Sequence, residues 1–330
     1  KILANAVQVI RTDTSEALLL FDQAKTTALR DGDKRTAAEI YLRIAEISKT
    51  QDSTTKAIRS YKESARLYNE AGMDEMASRV YCDLGKYESD FSRFEDAMSS
   101  FRKSDEIAAE KHFEVIHGNN LVGMGMVFAK QGEMVQAQQN FVVALELFEL
   151  LNDSLGIGDA WNGIGVIHWK EGKNDEAMEA YQKSLVIRQS IRDSMGIAAT
   201  YSNMGVICRI QKKLEEGLTY YMLALGIRER NHDNRGVSQV LFNIGSLYTD
   251  MGRSDDGLEY YARSYAIKQR LGDHYGRLPY FLNTGELYGS MGKSPQQEAA
   301  YLTGLALADS LKAADYIKSF TLALSEYYSA

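Results

Sequence analysis

The sequence predicts an all-α protein, a right-handed α-solenoid of about seven full helix hairpins with partial units at both ends. First, the chain repeats with a 40-residue period over almost its whole length, and a fixed period of this size indicates stacked repeats. Second, each period contains two amphipathic runs with helical spacing, joined by a short turn. Third, only 2 prolines occur in 330 residues, so little in the composition interrupts long helices.

Two kinds of residue mark the period. The first helix of each repeat has a small residue near its middle: Ala45, Gly85, Gly125, Gly165, Gly205, Gly245 and Gly285. The second helix has an aromatic residue 16 positions later, in a series that starts before the first full repeat: Phe21, Tyr61, Phe101, Phe141, Tyr181, Tyr221, Tyr261 and Tyr301. We expect these register glycines to let paired helices approach closely, and these register aromatics to fill the space between adjacent repeats.

The same register predicts the domain organisation, which is one solenoid over residues 1–330. Residues 1–30 form a partial hairpin, residues 31–311 form seven 40-residue repeats, and residues 312–330 form an unpaired helix. First helices are expected at 34–49, 74–90, 114–130, 154–170, 194–210, 234–250 and 274–290. Second helices are expected at 13–30, 54–70, 94–110, 134–150, 174–190, 214–230, 254–270 and 294–311, with a last helix at 314–329. The incomplete helix at 1–12 and the unpaired helix at 314–329 predict that the chain continues beyond both ends.

Turn residues support these boundaries. Aspartates that can accept hydrogen bonds from free N–H groups recur before first helices, at Asp33, Asp153, Asp193, Asp233 and Asp273. Glycines that tolerate positive φ recur inside hairpins, at Gly132, Gly172, Gly252 and Gly292. Lys212 replaces this glycine in one repeat, so a different turn is expected there. Ser294 precedes Pro295 and is expected to cap the helix that begins at the proline.

Composition argues against several partners. The net charge is −7 and no basic stripe occurs, so we expect no nucleic acid. The apolar runs are shorter than the ~18 residues of a membrane span, so no membrane contact is expected from this segment. Cys82 and Cys208 lie about three repeats apart and are not expected to pair. Two free thiols slightly favour the cytoplasm over the periplasm.

The sequence contains no convincing catalytic motif. HExxH, CxxC, Walker lysine and G-x-S-x-G patterns are all absent from it. His112 and His117 are five residues apart, a spacing that directs them to different sides of a helix. We therefore expect no enzyme activity, no metal site and no cofactor from this chain alone.

A binding surface is expected on the first helices, which line the inner side of a curved stack. In the middle repeats this surface combines apolar residues, glycines and amides, a combination that can hold an extended peptide or a helix. The candidate groove residues are Met126, Asn162, Val166, Trp169, Asn203, Val206, Arg209, Asn243 and Asn283. The alternative is that the apolar members lie in the core and that the asparagines are local caps.

One repeat also resembles a known family. The spacing of Trp161, Ile164, Gly165, His168, Gly172, Ala177 and Tyr181 is similar to the signature of the tetratricopeptide repeat (TPR), with histidine in the usual tyrosine position. The resemblance implies an α-solenoid that binds a protein or peptide. Basic groove residues clamp a C-terminal carboxylate in shorter-repeat relatives, and Lys130, Lys170 and Arg209 are the candidates here.

The long repeat and the N-x-G pattern of residues 203–205 and 243–245 resemble bacterial TPR sensor regions and Pins-type scaffolds. The resemblance therefore implies the sensing region of a larger bacterial signalling protein, with a stand-alone scaffold or assembly factor as the alternative. An enzyme with a non-standard site is a third, weaker class.

Self-association is a separate expectation. The pairs Tyr220–Tyr221, Tyr260–Tyr261 and Tyr327–Tyr328 place one tyrosine inward and the other near the outer face. A homodimer could form through this outer face or through the open ends of the stack.

Overall fold

The computed structural model describes residue 9, residues 14–50 and residues 53–329. The predicted helix at 1–12 lies outside these residues, apart from residue 9. All regular structure within the described ranges is helical, which confirms the all-α class. The chain divides into two compact units, Lys1–Ile191 and Arg192–Ala330. Each unit is described by itself, and both the single-domain organisation and the right-handed sense of the solenoid stay predictions.

Consecutive helices pack together as hairpins in each unit. Unit 1 contains α1 (Thr14–Arg30), α2 (Lys34–Thr50), α3 (Thr54–Glu70), α4 (Asp74–Asp90), α5 (Phe94–Lys111), α6 (Glu114–Gln131), α7 (Met134–Leu151), α8 (Ser154–Lys170) and α9 (Asn174–Ser190). Unit 2 contains α10 (Ser194–Ile210), α11 (Leu214–Arg230), α12 (Asn234–Asp250), α13 (Ser254–Arg270), α14 (Leu278–Ser290), α15 (Ser294–Leu311) and α16 (Ala314–Ser329). These bounds match the predicted ones to within one residue, except at the start of α14.

Proline explains the difference at α14. The predicted helix over 274–290 begins as a short 3-10 turn, Tyr275–Arg277, and the α-helix starts only at Leu278. Pro279 stands in the first turn of α14 and has no N–H to donate to the carbonyl four residues earlier. A continuous α-helix from residue 274 would require that hydrogen bond, so the α-helix begins later.

The predicted aspartate caps are all present. Asp33, Asp153, Asp193, Asp233 and Asp273 each accept a hydrogen bond from a backbone N–H two or three residues ahead, at 2.8–3.1 Å. The predicted cap at Ser294 is wrong. Its hydroxyl lies 2.8 Å from the Tyr327 hydroxyl instead, and α15 begins at Ser294 itself.

The hairpin turns adopt positive φ, as predicted for Gly132, Gly172, Gly252 and Gly292, whose φ angles are +69° to +88°. The expected change of turn at Lys212 does not occur, because Lys212 adopts φ +61°. A side chain with a Cβ pays a conformational cost in this region, of about 1–2 kcal/mol.

Register glycines are the points where paired helices come close. A Cβ built on Gly165 would lie 2.5 Å from the ring of Tyr181, and one on Gly205 would lie 2.6 Å from the ring of Tyr221. A register aromatic also contacts a glycine of the repeat that follows it. A Cβ on Gly163 would lie 2.3 Å from the ring of Phe141, which belongs to the preceding repeat. In unit 1 the rings of Phe101 and Phe141 therefore each fit between glycines of adjacent repeats, as the sequence predicts.

A buried serine adds a second link inside several hairpins. Ser64, Ser184 and Ser264 each donate from the hydroxyl to a first-helix carbonyl 26 residues earlier, at 2.7–2.8 Å. Ser104 makes the equivalent bond to the carbonyl of Ser78, at 2.7 Å. These bonds satisfy buried hydroxyl groups and fix the two helices of a hairpin against each other.

The expected row of exposed tyrosines is largely absent. Tyr221 and Tyr261 are buried, as predicted, but Tyr220 and Tyr260 are half-buried. Tyr220 stacks on Tyr201 at 5.8 Å between ring centroids, and Tyr260 stacks in a similar way on a first-helix tyrosine at 5.3 Å. Of the three expected outer tyrosines, Tyr328 alone is well exposed, at 63%. Self-association through the outer face stays a prediction.

We predict that Gly205→Ala lowers the free energy of unfolding by about 1–2 kcal/mol in urea denaturation. Overpacking against the Tyr221 ring destabilises the fold by ~1–3 kcal/mol. The higher helix propensity of alanine offsets less than about 1 kcal/mol of this loss. Gly226→Ala is the matched control, since its Cβ would have no neighbour closer than 3.7 Å. That change should leave stability equal or higher. Equal effects of the two substitutions would contradict the close-approach role.

We also predict that Lys212→Gly raises the free energy of unfolding by about 1 kcal/mol, because glycine removes the cost of the positive φ. The reverse change one repeat later, Gly252→Lys, should lower it by a similar amount, since nothing lies within 4 Å of a Cβ at that position. Urea denaturation of both variants measures the two effects. Opposite signs from those predicted would show that side-chain contacts dominate at these turns.

Candidate functional site

A cavity of about 280 Å³ lies on the first-helix side of unit 1. Three successive first helices, α4, α6 and α8, provide most of its wall, and α5 contributes one ring from below. Its lining consists of Lys86, Ser89, Asp90, Phe101, Val122, Gly123, Met126, Lys130, Asp159 and Asn162. The wall is therefore charged at several points and the floor is apolar.

The floor depends on a register aromatic. The Phe101 ring is fully buried, and a Cβ on Gly123 would lie 2.3 Å from it. Glycines were expected on the groove surface of the middle repeats. Gly123 and its equivalent Gly163 instead lie buried against rings of the preceding repeat, because the ring occupies the space that a side chain would fill. Because Gly123 has no side chain, the Phe101 ring can occupy this space and form the floor of the cavity.

One of the two cavity lysines is already hydrogen-bonded. The ammonium of Lys130 donates to the carbonyl oxygen and to the hydroxyl of Ser89, both at 3.0 Å. A carboxylate oxygen of Asp90 lies 3.9 Å from it. Burial lowers the pKa of Lys130, and Asp90 partly offsets this effect. Lys130 therefore ties α6 to α4, so its donors are largely used inside the protein.

Asp159 also has a partner inside the protein. Its carboxylate accepts from the Arg188 guanidinium at 2.5 Å, and Arg188 donates from Nε to the Ser184 hydroxyl at 3.0 Å. Arg188 is only 4% exposed. A buried guanidinium needs a carboxylate nearby, since an unpaired buried charge is costly. Asp159 is thus the counter-ion of Arg188 at the edge of the cavity.

Lys86 differs from these groups. Within the described residues its ammonium has no hydrogen bond and no ion pair, although the side chain is exposed and lines the cavity. Partial desolvation by the surrounding cavity wall would by itself lower the pKa of Lys86, but nearby negative groups, including Asp83 and Asp159, raise it overall. The ammonium therefore stays charged at neutral pH. Its donors are directed to solvent or to a ligand.

The predicted groove residues of unit 1 are divided between surface and core. Met126 and Asn162 line the cavity. Trp169 is half-buried, with the Lys170 ammonium 5.8 Å from its ring centroid. Val166 is only 9% exposed, which corrects its placement on the groove surface, because α8 directs it into the packing between helices.

In unit 2 the predicted residues lie on three successive first helices. Asn203, Val206 and Arg209 are half-buried on α10, and Asn243 and Asn283 have the equivalent position on α12 and α14. The Arg209 guanidinium lies 2.7 Å from the Asp250 carboxylate of the next repeat. This ion pair removes Arg209 from the residues that are free to bind a carboxylate.

Two of the unit 2 asparagines bond within their own helix. Asn243 accepts from the Gln239 amide at 3.3 Å, and Asn283 donates to the Pro279 carbonyl at 2.8 Å. Each amide keeps further donor or acceptor capacity. The local-cap alternative therefore applies in part, although the side chains remain partly exposed.

Sequence reasoning left Lys86, Asp90, Val122 and Asp159 out of the candidate list. Lys86 could have been found from the repeat register, because it follows its register glycine as Met126 follows Gly125. Asp159 gave no comparable signal. Its role depends on Arg188, which lies 29 residues away.

Other potentially reactive groups are buried or dispersed. Cys82 and Cys208 are free and buried, and burial raises the pKa of both thiols to about 11. The described residues contain no group of three His, Cys, Asp or Glu side chains that could hold a metal ion. No described helix has the length and apolar character needed to cross a membrane.

Comparison with family models identifies the repeat. Residues 118–190, 196–270 and 236–310 match the model described as tetratricopeptide repeat, and together they cover more than half of the chain. Residues 1–141 match the model described as soluble NSF attachment protein, SNAP. A search of curated proteins found no match.

Several solved structures share the fold. A Rap protein complexed with competence and sporulation factor has a TM-score of 0.61 and 15% identity, over 99% of this chain and 98% of that chain. Aspartyl phosphate phosphatase F from Bacillus subtilis has a TM-score of 0.65 and 17% identity, over 81% of this chain and 69% of that chain. A STAND protein with a tetratricopeptide repeat sensor from Pyrococcus horikoshii has a TM-score of 0.60 and 12% identity, over 94% of this chain and 52% of that chain. At these identities the likeness shows the fold alone.

We predict that Asp159→Asn lowers the free energy of unfolding by about 2–3 kcal/mol. Removing one partner of a buried pair costs ~3–5 kcal/mol, and partial exposure of Asp159 reduces this cost. The control is Asp250→Asn, which breaks the more exposed pair with Arg209 and should cost less than about 1 kcal/mol. Chemical denaturation measures both. A negligible effect of Asp159→Asn would contradict its role as the Arg188 counter-ion.

Proposed function

Because the chain belongs to the tetratricopeptide repeat family, we propose that it is a protein- or peptide-binding module. The binding surfaces in this proposal are the exposed sides of the first helices. The observation that carries it is that first helices of each unit bear partly exposed apolar and amide side chains, namely Met126, Asn162 and Trp169 in unit 1 and Asn203, Val206, Asn243 and Asn283 in unit 2. Such mixed surfaces suit a peptide, because apolar side chains provide contact area and amides bond to the peptide backbone.

In unit 1 the proposed surface consists of the cavity with Met126 and Asn162, extended by Trp169. A partly exposed tryptophan on the same first helix as Asn162 is a strong candidate for an anchor, since aromatic residues contribute much of the binding energy at interfaces. Val166 is left out of this surface because it is buried.

In unit 2 the proposed surface is a row of amides. Asn203, Asn243 and Asn283 occupy equivalent positions in three successive repeats, with Val206 and Arg209 beside the first. Each amide can donate to a peptide carbonyl and accept from a peptide N–H. We propose that this row fixes the register of an extended ligand. Because Arg209 is paired with Asp250, its proposed role is to shape the surface.

We further propose that the chain is the sensing region of a larger bacterial signalling protein. Two similar structures support this proposal by their descriptions, one as a STAND protein with a tetratricopeptide repeat sensor and one as a Rap protein complexed with competence and sporulation factor. Output would then come from another part of such a protein. The proposal includes no catalytic step, cofactor or nucleic acid for this chain.

The second candidate is a stand-alone scaffold or assembly factor that holds a protein client. The match of residues 1–141 to the attachment-protein model supports it. The two candidates differ in the ligand. A sensor is expected to bind a short peptide or small effector, whereas a scaffold is expected to bind a folded client over a larger area.

The test is affinity selection with the full chain as bait, against a random peptide library and against native lysate. The dissociation constant of each purified ligand is then measured by calorimetry. Trp169→Ala should weaken binding by about 2 kcal/mol, which is roughly 30-fold, with little change in thermal stability. Asn203→Ala combined with Asn243→Ala should weaken a ligand that binds unit 2.

Matched controls separate binding from folding. Trp161→Ala removes a half-buried tryptophan whose ring lies 4.0 Å from the Lys183 ammonium, and it should leave affinity unchanged. Asn231→Ala removes an exposed amide from the end of α11 and should also have no effect. Ligands that are indifferent to both groove changes would move the interface away from the first helices, and a full selection that yields no ligand would contradict the binding function.

A further inference from the structure

The cavity of unit 1 offers one charged group that the protein itself does not neutralise by contact. Lys130 is bonded to Ser89, and Asp159 is bonded to Arg188. Lys86 has neither a hydrogen bond nor an ion pair among the described residues. It is therefore the group at the cavity that is best placed to bind a ligand.

The other charged groups at the cavity have partners of opposite charge. Lys130 lies 3.9 Å from Asp90, and Asp159 pairs with the buried Arg188. In the part of the chain that the structure describes, Lys86 is the cation of the lining without a contacting anion, although Asp83 lies nearby on the same helix. One anionic group of the ligand would pair with this ammonium, and a charge-assisted hydrogen bond to an ammonium is stronger than a neutral one.

The floor beneath Lys86 is apolar. Val122 and Met126 are half-buried, and the Phe101 ring lies under them. The volume of about 280 Å³ is large enough to hold several water molecules. This space suits one bulky side chain together with a small neighbouring group, because apolar surface against Val122 and Met126 would displace water from the floor.

We propose that this cavity binds two adjacent residues of a peptide, one acidic and one apolar. The acidic side-chain carboxylate accepts from the Lys86 ammonium, and the neighbouring apolar side chain lies on Val122 and Met126. This inference rests on the proposed peptide-binding function and specifies the ligand for unit 1. It assigns recognition to Lys86, a residue outside the predicted groove set.

The charge pattern favours a carboxylate over a phosphate. A phosphorylated side chain carries nearly two negative charges at neutral pH and would bring its oxygens towards Asp90 and Asp159 at the cavity wall. A carboxylate carries one charge and matches the single open cation. A phosphopeptide is therefore an alternative outcome of the test.

The test uses short capped peptides and nuclear magnetic resonance of the full chain labelled with ¹³C on its methionine methyl groups. Met126 reports from the cavity, and the variant Met126→Leu assigns its signal among the 12 methionines. Acetyl-Asp-Leu-amide should shift this signal in a saturable manner. Acetyl-Asn-Leu-amide, which has the same shape without the charge, should bind at least about 10-fold more weakly.

The matched pair of lysine variants isolates the cation. Lys86→Gln should abolish the difference between the acidic and neutral peptides, because both then meet an uncharged amide. Lys103→Gln is the control, since Lys103 is exposed on α5 outside the cavity, with its ammonium 5.8 Å from the Tyr81 ring centroid. That control should bind both peptides as the unmodified protein does. Circular dichroism checks that both variants remain folded.

Several outcomes would overturn the inference. They are an unshifted Met126 signal, equal binding of the two peptides, or unchanged discrimination in Lys86→Gln. Tighter binding of acetyl-phosphoserine-Leu-amide, or of acetyl-leucine with a free carboxylate, would assign the cavity to a phosphate or a chain end instead. These results concern the cavity alone. A ligand from the affinity selection that binds without an acidic residue would leave the proposed function standing while overturning this inference.

Discussion

The contact between a register aromatic ring and glycine backbone is the interaction on which the rest of the fold depends. In unit 1 the ring of Phe101 lies against Gly85 of its own hairpin and against Gly123 of the next one. A Cβ at either glycine would lie within 3.0 Å of ring atoms, so the close helix spacing requires the absence of a side chain. Hydrophobic burial of the ring stabilises both hairpins at once, as expected for repeats that depend on their neighbours.

The same constraint creates the surface that we propose for binding. The residue after each register glycine varies from repeat to repeat. At this position Lys86 is exposed and Met126 and Val206 are half-buried, whereas Val166 and Ser246 are buried. A common scaffold therefore presents a different chemistry in different repeats, and around α4 and α6 that chemistry is a cation without a contacting anion among the described residues, beside an apolar floor.

Much of the fold could be predicted from the sequence, because the determining interactions are local and periodic. Helix length, the aspartate caps and the positive-φ glycines depend on residues within one turn or one hairpin. The start of α14 was predicted wrongly because the prediction followed the pattern of the other repeats. Pro279 delays the start of the helix that contains it. The Lys212 turn shows that hairpin geometry overrides the preference of a single residue.

The candidate site was harder to predict because it depends on contacts that are distant in sequence. Asp159 and Lys130 are committed to Arg188 and Ser89, which lie 29 and 41 residues away, so their availability cannot be inferred from the residues beside them. Val166 was placed on the wrong side, since its burial depends on the helices packed around α8 and not on its register position alone. Met126 and Asn162 do line the cavity, as the register suggested, but Val166 has the same register position as Met126 and is buried.

The most direct measurement of the central claim is a crystal structure of the full chain with a selected peptide bound. The account predicts peptide density along the first helices α4, α6 and α8, with an acidic side chain about 3 Å from the Lys86 ammonium and an apolar side chain on Met126. Peptide density confined to the second helices, such as α5 and α7, with an empty cavity beside Lys86, would contradict it.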